Sequence, residues 1–520
     1  MTRRPSFDLA TEPWISVLDH DGAQLQVGLR QALRDAHLIA DLALPYPAAY
    51  GALYRVLAAL VFRITGLDQP PFGEDWYRRR NKLFATPFSP GAIESYFTAH
   101  AEGFDLYGDR GFFQDPRLRT DCKKTSGINK LAFGRAAGSA RPWFADKHGD
   151  DGQKPLASAE AAVHLLMQAY YGAGGTVTTR RHGNLNTQAG CPAAPLRGTV
   201  GFHPLGPDLR TTLLAHLTAP TAYAHGRPDR APWEHAEHTD PTLPVPAPSG
   251  PVSLLVGRMR HAILLVPGPD ASTAEDATIS WGARTPADKP KPGYFVEPFP
   301  DPYLSYGYSK TGMPSTPVDA DGGRHLFRDL DVLLNAPESR GPAAGPHPRT
   351  RPAVLHACDH LPDAVIDTLR LRVVGVDQDR SQTVDRQWWT STTPPLLVHS
   401  AQRDPQAAEL IEQAVREADA SAWKLNKALA AAFADRPKDK TAPKRREARV
   451  ARHYWPRADT AFWRLFDGDD LSQAQAAMRR AALDAFDDIT AGMARSLSAC
   501  RRVAEARALL PLPRKNTDDA

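Results

Sequence analysis

Glycines at 172, 174 and 175 are followed at once by Thr176, Thr178 and Thr179, and then by Arg180, Arg181 and His182. Glycine has no Cβ, so such a stretch lets main-chain N–H and C=O groups approach a ligand that side chains would block. Hydroxyls and guanidinium groups beside it suit phosphate contacts, and Arg180 and Arg181 are the first candidates. The same glycines also read as a helix stop, since glycine is common just past a helix C-terminus. A second charged stretch starts at Arg436 and includes Lys438, Lys440, Lys444, Arg445 and Arg446, with Arg449 and Arg452 beyond. It reads either as a solvated loop or as an edge that holds DNA backbone by charge.

Other side chains could in principle do chemistry. His356 and His360 are spaced i, i+4, which could place two metal ligands on one helix face. Leu361-Pro362 follows immediately and no third ligand is placed by the sequence, so a surface or capping role is preferred and no metal or other cofactor is expected. Asp484, Asp487 and Asp488 read as a solvated helix face. The chain has no GxxxxGK[ST], HExxH or GxSxG pattern, so no catalytic residue is assigned and the chain is not expected to be an enzyme.

Composition narrows the class further. A chain of 520 residues with 42% hydrophobic and 23% charged residues should form two or three globular domains. The net charge of +4 is small, so nucleic-acid contacts must come from local patches. Cys122, Cys191, Cys358 and Cys500 are scattered without pairs, which argues against a disulfide framework or a CxxC zinc site and fits a reducing cytoplasm. Neither a signal peptide nor a membrane span is expected.

The elements that must position these residues follow from periodicity. An N-terminal strand over Phe7–Val17 should turn at Asp19–Gly22 into a second over Leu25–Leu29. Helices are expected over Leu29–Ala40, Ala48–Thr65, Ser158–Tyr171 and Thr211–Leu217, with the second deeply buried. Val252–Val256, Ala262–Val266 and Leu369–Val376 read as strands. From about residue 395 the pattern is helical only: Ala407–Phe433, a helix around Trp455–Leu465, and a stretch from Leu471 to Leu509 that is one helix or two broken near Gly492. The fold class is thus α+β: a mixed α/β domain over residues 1–390, then an all-α antiparallel bundle over 391–520.

At this point the pieces resemble a family. The opening Phe7–Val17 with Gly22 and Leu29–Leu33 is similar to that of the CasA family, the large subunit of the type I-E CRISPR Cascade complex. Gly111–Asp115, Trp143–Asp146, the glycine loop, Ala194–Gly198 and Asp208–Leu214 occur in that family's order. The resemblance implies a four-helix bundle at the C-terminus. It implies a subunit that sits at the crRNA 5′ end, reads the protospacer-adjacent motif (PAM) from the minor groove of double-stranded target DNA, helps open the duplex and docks the helicase-nuclease. Its partners would be the other Cascade subunits, the crRNA, the target DNA and that nuclease.

By position, the resemblance assigns PAM reading to Gly172, Gly174 and Gly175. It assigns the minor-groove lysine to Lys289 or Lys291, and a loop contacting crRNA and a neighbouring subunit to Trp143, Phe144, Ala145 and Asp146. The strand-separating wedge falls on Gln378, Arg380 or Gln382. The minor groove distinguishes base pairs only coarsely, so a glycine backbone with one lysine suits tolerant reading of a short motif. The competing readings are a nucleic-acid-binding subunit of another complex, and a metal-dependent hydrolase built on His356 and His360.

Overall fold

A helix that is apolar on most faces has to be enclosed, and Pro47–Thr65 is: every residue from Ala48 to Phe62 except Tyr50 is buried. Its length and hydropathy would suffice to cross a membrane, but 78% of its most apolar window lies inside the protein. Its one buried charge is neutralised. Arg55 donates through Nε and Nη2 to both oxygens of Asp301, at 3.0 and 2.8 Å. Left alone, a buried guanidinium would cost several kcal/mol.

The computed structural model describes residues 5–135, 137, 152–183, 188–220, 227–235, 238–283, 299–308, 314–334, 349–378, 385–400, 402–434, 441–493 and 496–510. The chain forms two compact units: residues 1–320 with 341–395, and residues 321–340 with 396–520.

The first unit is mixed. Its central sheet is antiparallel, with Arg370–Gln378 between Val200–Leu205 and Asp385–Thr392. The middle strand is buried from Leu371 onward; Val373, Val374 and Val376 are its apolar centre, and the buried Arg372 is held by Asp41 and Tyr54. A second sheet orders Leu156–Ala157, Thr273–Trp281 and His261–Pro267. A third pairs Ile15–Asp19 with Gln24–Val27 and Ile39–Leu42. Two expectations fail here. The helix expected over Leu29–Ala40 stops at Arg34, because Ile39–Leu42 joins the edge of the N-terminal strand pair. The strand expected over Val252–Val256 is a helix, Pro251–Val256. Asp229 fixes its first turn by accepting the Val252 and Ser253 N–H groups at 3.0 and 2.7 Å. A short apolar run fits either state, and this distant cap decides it.

The second unit is helical, with no strand among its described residues. Pro405–Phe433 and Leu471–Thr490 are joined by the bidentate pair Glu417–Arg479, at 3.0 and 2.8 Å. Ala442–His453 and Trp455–Trp463 meet at Tyr454, with Pro456 in the first turn of the second. The Leu471–Leu509 stretch is two helices, Leu471–Thr490 and Leu497–Arg507, the latter restarted by the Ser496 hydroxyl accepting from the Ala499 N–H. The acidic cluster is a solvated face: Asp487 holds Arg507, Asp488 holds Arg457 and Asp484 holds Arg480.

The boundary drawn at 390 needs correction. Residues 321–340 lie within the 1–390 span but belong to the helical unit. The reason is apolar: Leu326, Phe327, Leu330, Leu333 and Leu334 are all buried, and Phe327 stacks on Phe462 with ring centroids 4.8 Å apart.

Candidate nucleic-acid interface

The glycine loop follows the Ser158–Tyr171 helix and opens the hairpin of Gly175–Arg180 with Gln188–Cys191. Its three glycines answer three different demands. Gly172 has φ −56°, ordinary for any residue, so it is not a left-handed helix stop. A Cβ there would lie 2.3 Å from Gln168 Nε2 and 2.7 Å from His261 Cε1. At Gly174 a Cβ would lie 2.7 Å from the main-chain nitrogen of Ala193. Gly175 has φ +109°, a conformation other residues rarely adopt, and the space before it is open. Gly175 and Thr176 are exposed, so main chain and hydroxyl face solvent together.

Buried polar groups support the loop from beneath. Gln168 Nε2 donates to His261 Nδ1 at 3.1 Å, which leaves His261 Nε2 as the proton-bearing nitrogen, donating to the Pro192 carbonyl at 2.9 Å. Burial pushes the His261 imidazole down to about 4, so it is neutral at pH 7. The Ala194 N–H donates to the Gly172 carbonyl at 3.0 Å, and Leu196 N–H to the Tyr170 carbonyl at 2.8 Å.

Arg180 does not face solvent. Its side chain is 0% exposed, bonded through Nε to Asp121 at 2.8 Å and through Nη2 to Asp115 at 2.9 Å. Its guanidinium lies 5.2 Å from the centre of the Trp281 ring. Burial alone would raise the Asp115 carboxyl, but hydrogen bonds and charge from Arg117 and Arg180 hold it below the usual range. The expectation that Arg180 contacts DNA backbone is therefore corrected: both its carboxylate partners are internal, and it anchors the far end of the hairpin strand. Arg181 is exposed.

Gln378 is likewise no tip residue. It is 3% exposed and donates to Asp385 Oδ1 at 2.8 Å. Arg197 Nη2 reaches the same oxygen at 3.1 Å, and Arg386 Nε bonds Asp377 at 2.8 Å. The polar side chains at 377 and 378 pair across the last rungs of the Arg370–Gln378 and Asp385–Thr392 strands, which corrects the assignment of Gln378 as a wedge.

On the helical unit, Lys444 and Arg445 are exposed and Arg446 is half-buried, all in the first turns of Ala442–His453. Cations there oppose the helix dipole, so they are not present for the helix's sake. Trp143, Phe144, Ala145, Asp146, Lys289, Lys291, Arg380, Gln382, Lys438 and Lys440 lie outside the described residues. No cluster of three His, Cys, Asp or Glu side chains that could hold a metal occurs among the described residues. His360 instead stacks on Tyr77 at 3.9 Å, and the helix carrying His356 ends at Cys358.

Sequence reasoning did not single out Gln168, His261, Arg197 or Asp385. Nothing local marks them, since each acts on a segment distant in sequence. It also passed over Lys123-Lys-Thr-Ser126, whose run of cations and hydroxyls was a readable signal.

A mixed unit combined with an all-helical unit is the fold this chain shares with subunits of RNA-guided surveillance complexes. The chain aligns over 97% of its length with 99% of a chain from a CRISPR RNA-guided surveillance complex, at 34% identity and a TM-score of 0.83. A second such complex, described as pre-nicking, gives 34% identity and a TM-score of 0.77 over 97% of this chain and 98% of that one. The profile of the CRISPR-associated protein Cse1 family matches residues 8–494, and the chain belongs to that family. The CasA/Cse1 protein of Thermus thermophilus is 28% identical over 214 residues, a match spanning 41% of this chain and 39% of the length of that curated relative. A crystal structure of CasA from the same organism shares the fold, with a TM-score of 0.71 at 20% identity over 97% of this chain and 98% of that one.

Proposed function

We propose that this chain is the non-catalytic large subunit of a type I-E CRISPR surveillance complex, reading the PAM in double-stranded DNA through the glycine loop. In this reading it sits in the cytoplasm with the other Cascade subunits at the crRNA 5′ end, promotes duplex opening and presents the docking surface for the helicase-nuclease. The observation that carries it is Gly175: a positive-φ residue in front of open space, on a loop whose other glycines are packed against buried side chains and main chain. A rigid, side-chain-free platform can approach a groove floor, and guide pairing then supplies the sequence specificity. The wedge falls to Arg380 or Gln382 and the groove-entering lysine to Lys289 or Lys291. The crRNA and subunit contact falls to Trp143–Asp146, and the guiding edge to Lys438, Lys440, Lys444, Arg445 and Arg446.

The test is a selection. The assembled complex is offered guide-matched duplexes whose flanking bases are randomised. Enrichment of a short flank by the wild type, abolished in Gly175→Asn, supports the reading. Asn is among the residues that best tolerate positive φ, so the fold should survive. Equal enrichment in both proteins refutes the loop as reader.

A further inference from the structure

Beside the glycine loop lies a cleft of about 1150 Å³ that none of the roles above uses. One side is the segment around Lys124, Thr125, Ser126 and Lys130; the other is Thr176 and Thr178 on the hairpin strand that Gly175 begins. The two sides are held in register. Cys122 bridges Arg180 in antiparallel fashion, Arg181 N–H donates to the Asp121 carbonyl at 2.8 Å, and the Ser126 and Thr178 hydroxyls meet at 2.7 Å. Ser126 is itself fixed: its N–H donates to the Ala277 carbonyl at 2.7 Å and its hydroxyl accepts from the Ile279 N–H at 2.8 Å. The floor is thus preorganised, which lowers the ordering cost of binding.

Lys124 is exposed and Lys130 half-buried, and neither forms an ion pair among the described residues. Thr125 and Thr176 are exposed hydroxyls. Glu275 and Asp276 also line the cleft and leave the lysine side as the part that attracts an anion. The hairpin side is continuous with the glycine loop through Thr176 and faces the lysines across the cleft. We infer that this cleft holds two consecutive phosphates of the duplex strand that passes the glycine loop, with Lys124 and Lys130 as the charge partners and Thr125 and Thr176 as hydroxyl donors. The inference rests on the reading of the loop as a duplex-facing platform. The contact is to backbone, so it fixes register and carries no base preference.

The experiment compares the wild-type complex with one carrying Lys124→Gln and Lys130→Gln. Three probes are titrated across a range of salt: a guide-matched duplex with the selected flank, the same duplex with a scrambled flank, and the guide-complementary single strand. Removing one phosphate contact flattens the log–log salt slope by about 0.9, so the double variant should flatten it by about 2 on both duplexes. The ratio between the two flanks should be unchanged, and single-strand binding unaltered. An unchanged duplex slope overturns the inference, as does an equal weakening on the single strand, which would place RNA or unpaired target in the cleft. Failure of the PAM reading shows separately, as a wild-type complex indifferent to the flank. Neither lysine has an ion-pair partner among the described residues, so matching melting temperatures are expected and verify the fold.

Discussion

Gln168 and His261 face each other at 3.1 Å beneath Gly172, closer to the missing Cβ of that glycine than any side chain could allow. The contact makes a neutral imidazole a structural support of the glycine loop, and this has a pH signature. The unfolded chain protonates His261 near pH 6.5, whereas burial keeps the folded imidazole neutral down to about 4. The folded pKa is depressed, so this stability is complete above about pH 6.5 and disappears as pH falls toward 4.

Urea unfolding of the full chain between pH 7 and pH 5 should therefore show falling stability. His203 and His216, also pushed down by burial, add to the same slope. His261→Gln should be less stable at pH 7 but shallower in pH dependence, by up to about 1.4 kcal/mol per pH unit. An unchanged slope would mean that His261 is not held neutral.

The glycines should separate by phenotype. Gly174→Ala forces a Cβ to 2.7 Å from the Ala193 nitrogen, and overpacking of this kind costs about 1–3 kcal/mol, visible as a lower melting temperature. Gly175→Asn meets open space but must hold φ +109°, so it should lower the melting temperature through backbone strain of about 1–2 kcal/mol without any clash. Its affinity for flanked duplex should fall roughly 10–100-fold, in line with about 1–3 kcal/mol for one groove interaction, while single-stranded target binds normally. The opposite pattern, with Gly174→Ala stable, would show that the loop is looser than described.

Adjacent arginines should diverge as sharply. Arg180→Gln takes the buried cation from Asp115 and Asp121, which keep Arg117 and His182 as partners, and should cost about 1–3 kcal/mol in denaturant unfolding. Because Asp115 is held below the usual carboxylate range, the stability it contributes is present above about pH 4 and disappears as pH falls through the folded value. Arg181→Gln should leave stability unchanged. Equal destabilisation in the two variants would remove the distinction drawn between anchor and surface residue.

The helical edge offers a fourth test. Replacing Lys444, Arg445 and Arg446 by Gln should flatten the salt slope of target binding by about 0.7–0.9 for each phosphate no longer held, and leave flank preference intact. For Lys444→Gln alone, removal of a cation from the helix N-terminus should not lower the melting temperature. A change in flank preference would make this edge a reader.

What the sequence made legible was whatever periodicity and composition encode locally. Ser158–Tyr171 has the bounds its stripe suggests, and the break between Thr490 and Leu497 falls where Gly492 pointed. What escaped was set by distant partners. Arg180 looks like a phosphate ligand until Asp115, 65 residues away, is seen to hold it. Gln378 looks like a hairpin tip until Asp385 closes over it. Pro251–Val256 reads as a strand until Asp229 caps it. Charge and turn signals give the residue types a site needs; which of them face solvent is decided by the tertiary pairing.

Leu326, Phe327, Leu330, Leu333 and Leu334 leave the first unit's stretch of chain to pack with the helices that begin at Pro405. The chain therefore passes between units three times, near 320, 340 and 395. A fragment ending at Pro395 would carry five large apolar side chains without their partners and should aggregate, whereas one cut also free of residues 321–340 should stay dispersed. The same arrangement bears on inheritance. A single recombination breakpoint cannot move the helical unit intact from one relative to another, because part of its core is written roughly eighty residues upstream of the rest. An intact exchange of that unit needs a cut at each of the three crossings, even though each unit has its own interior.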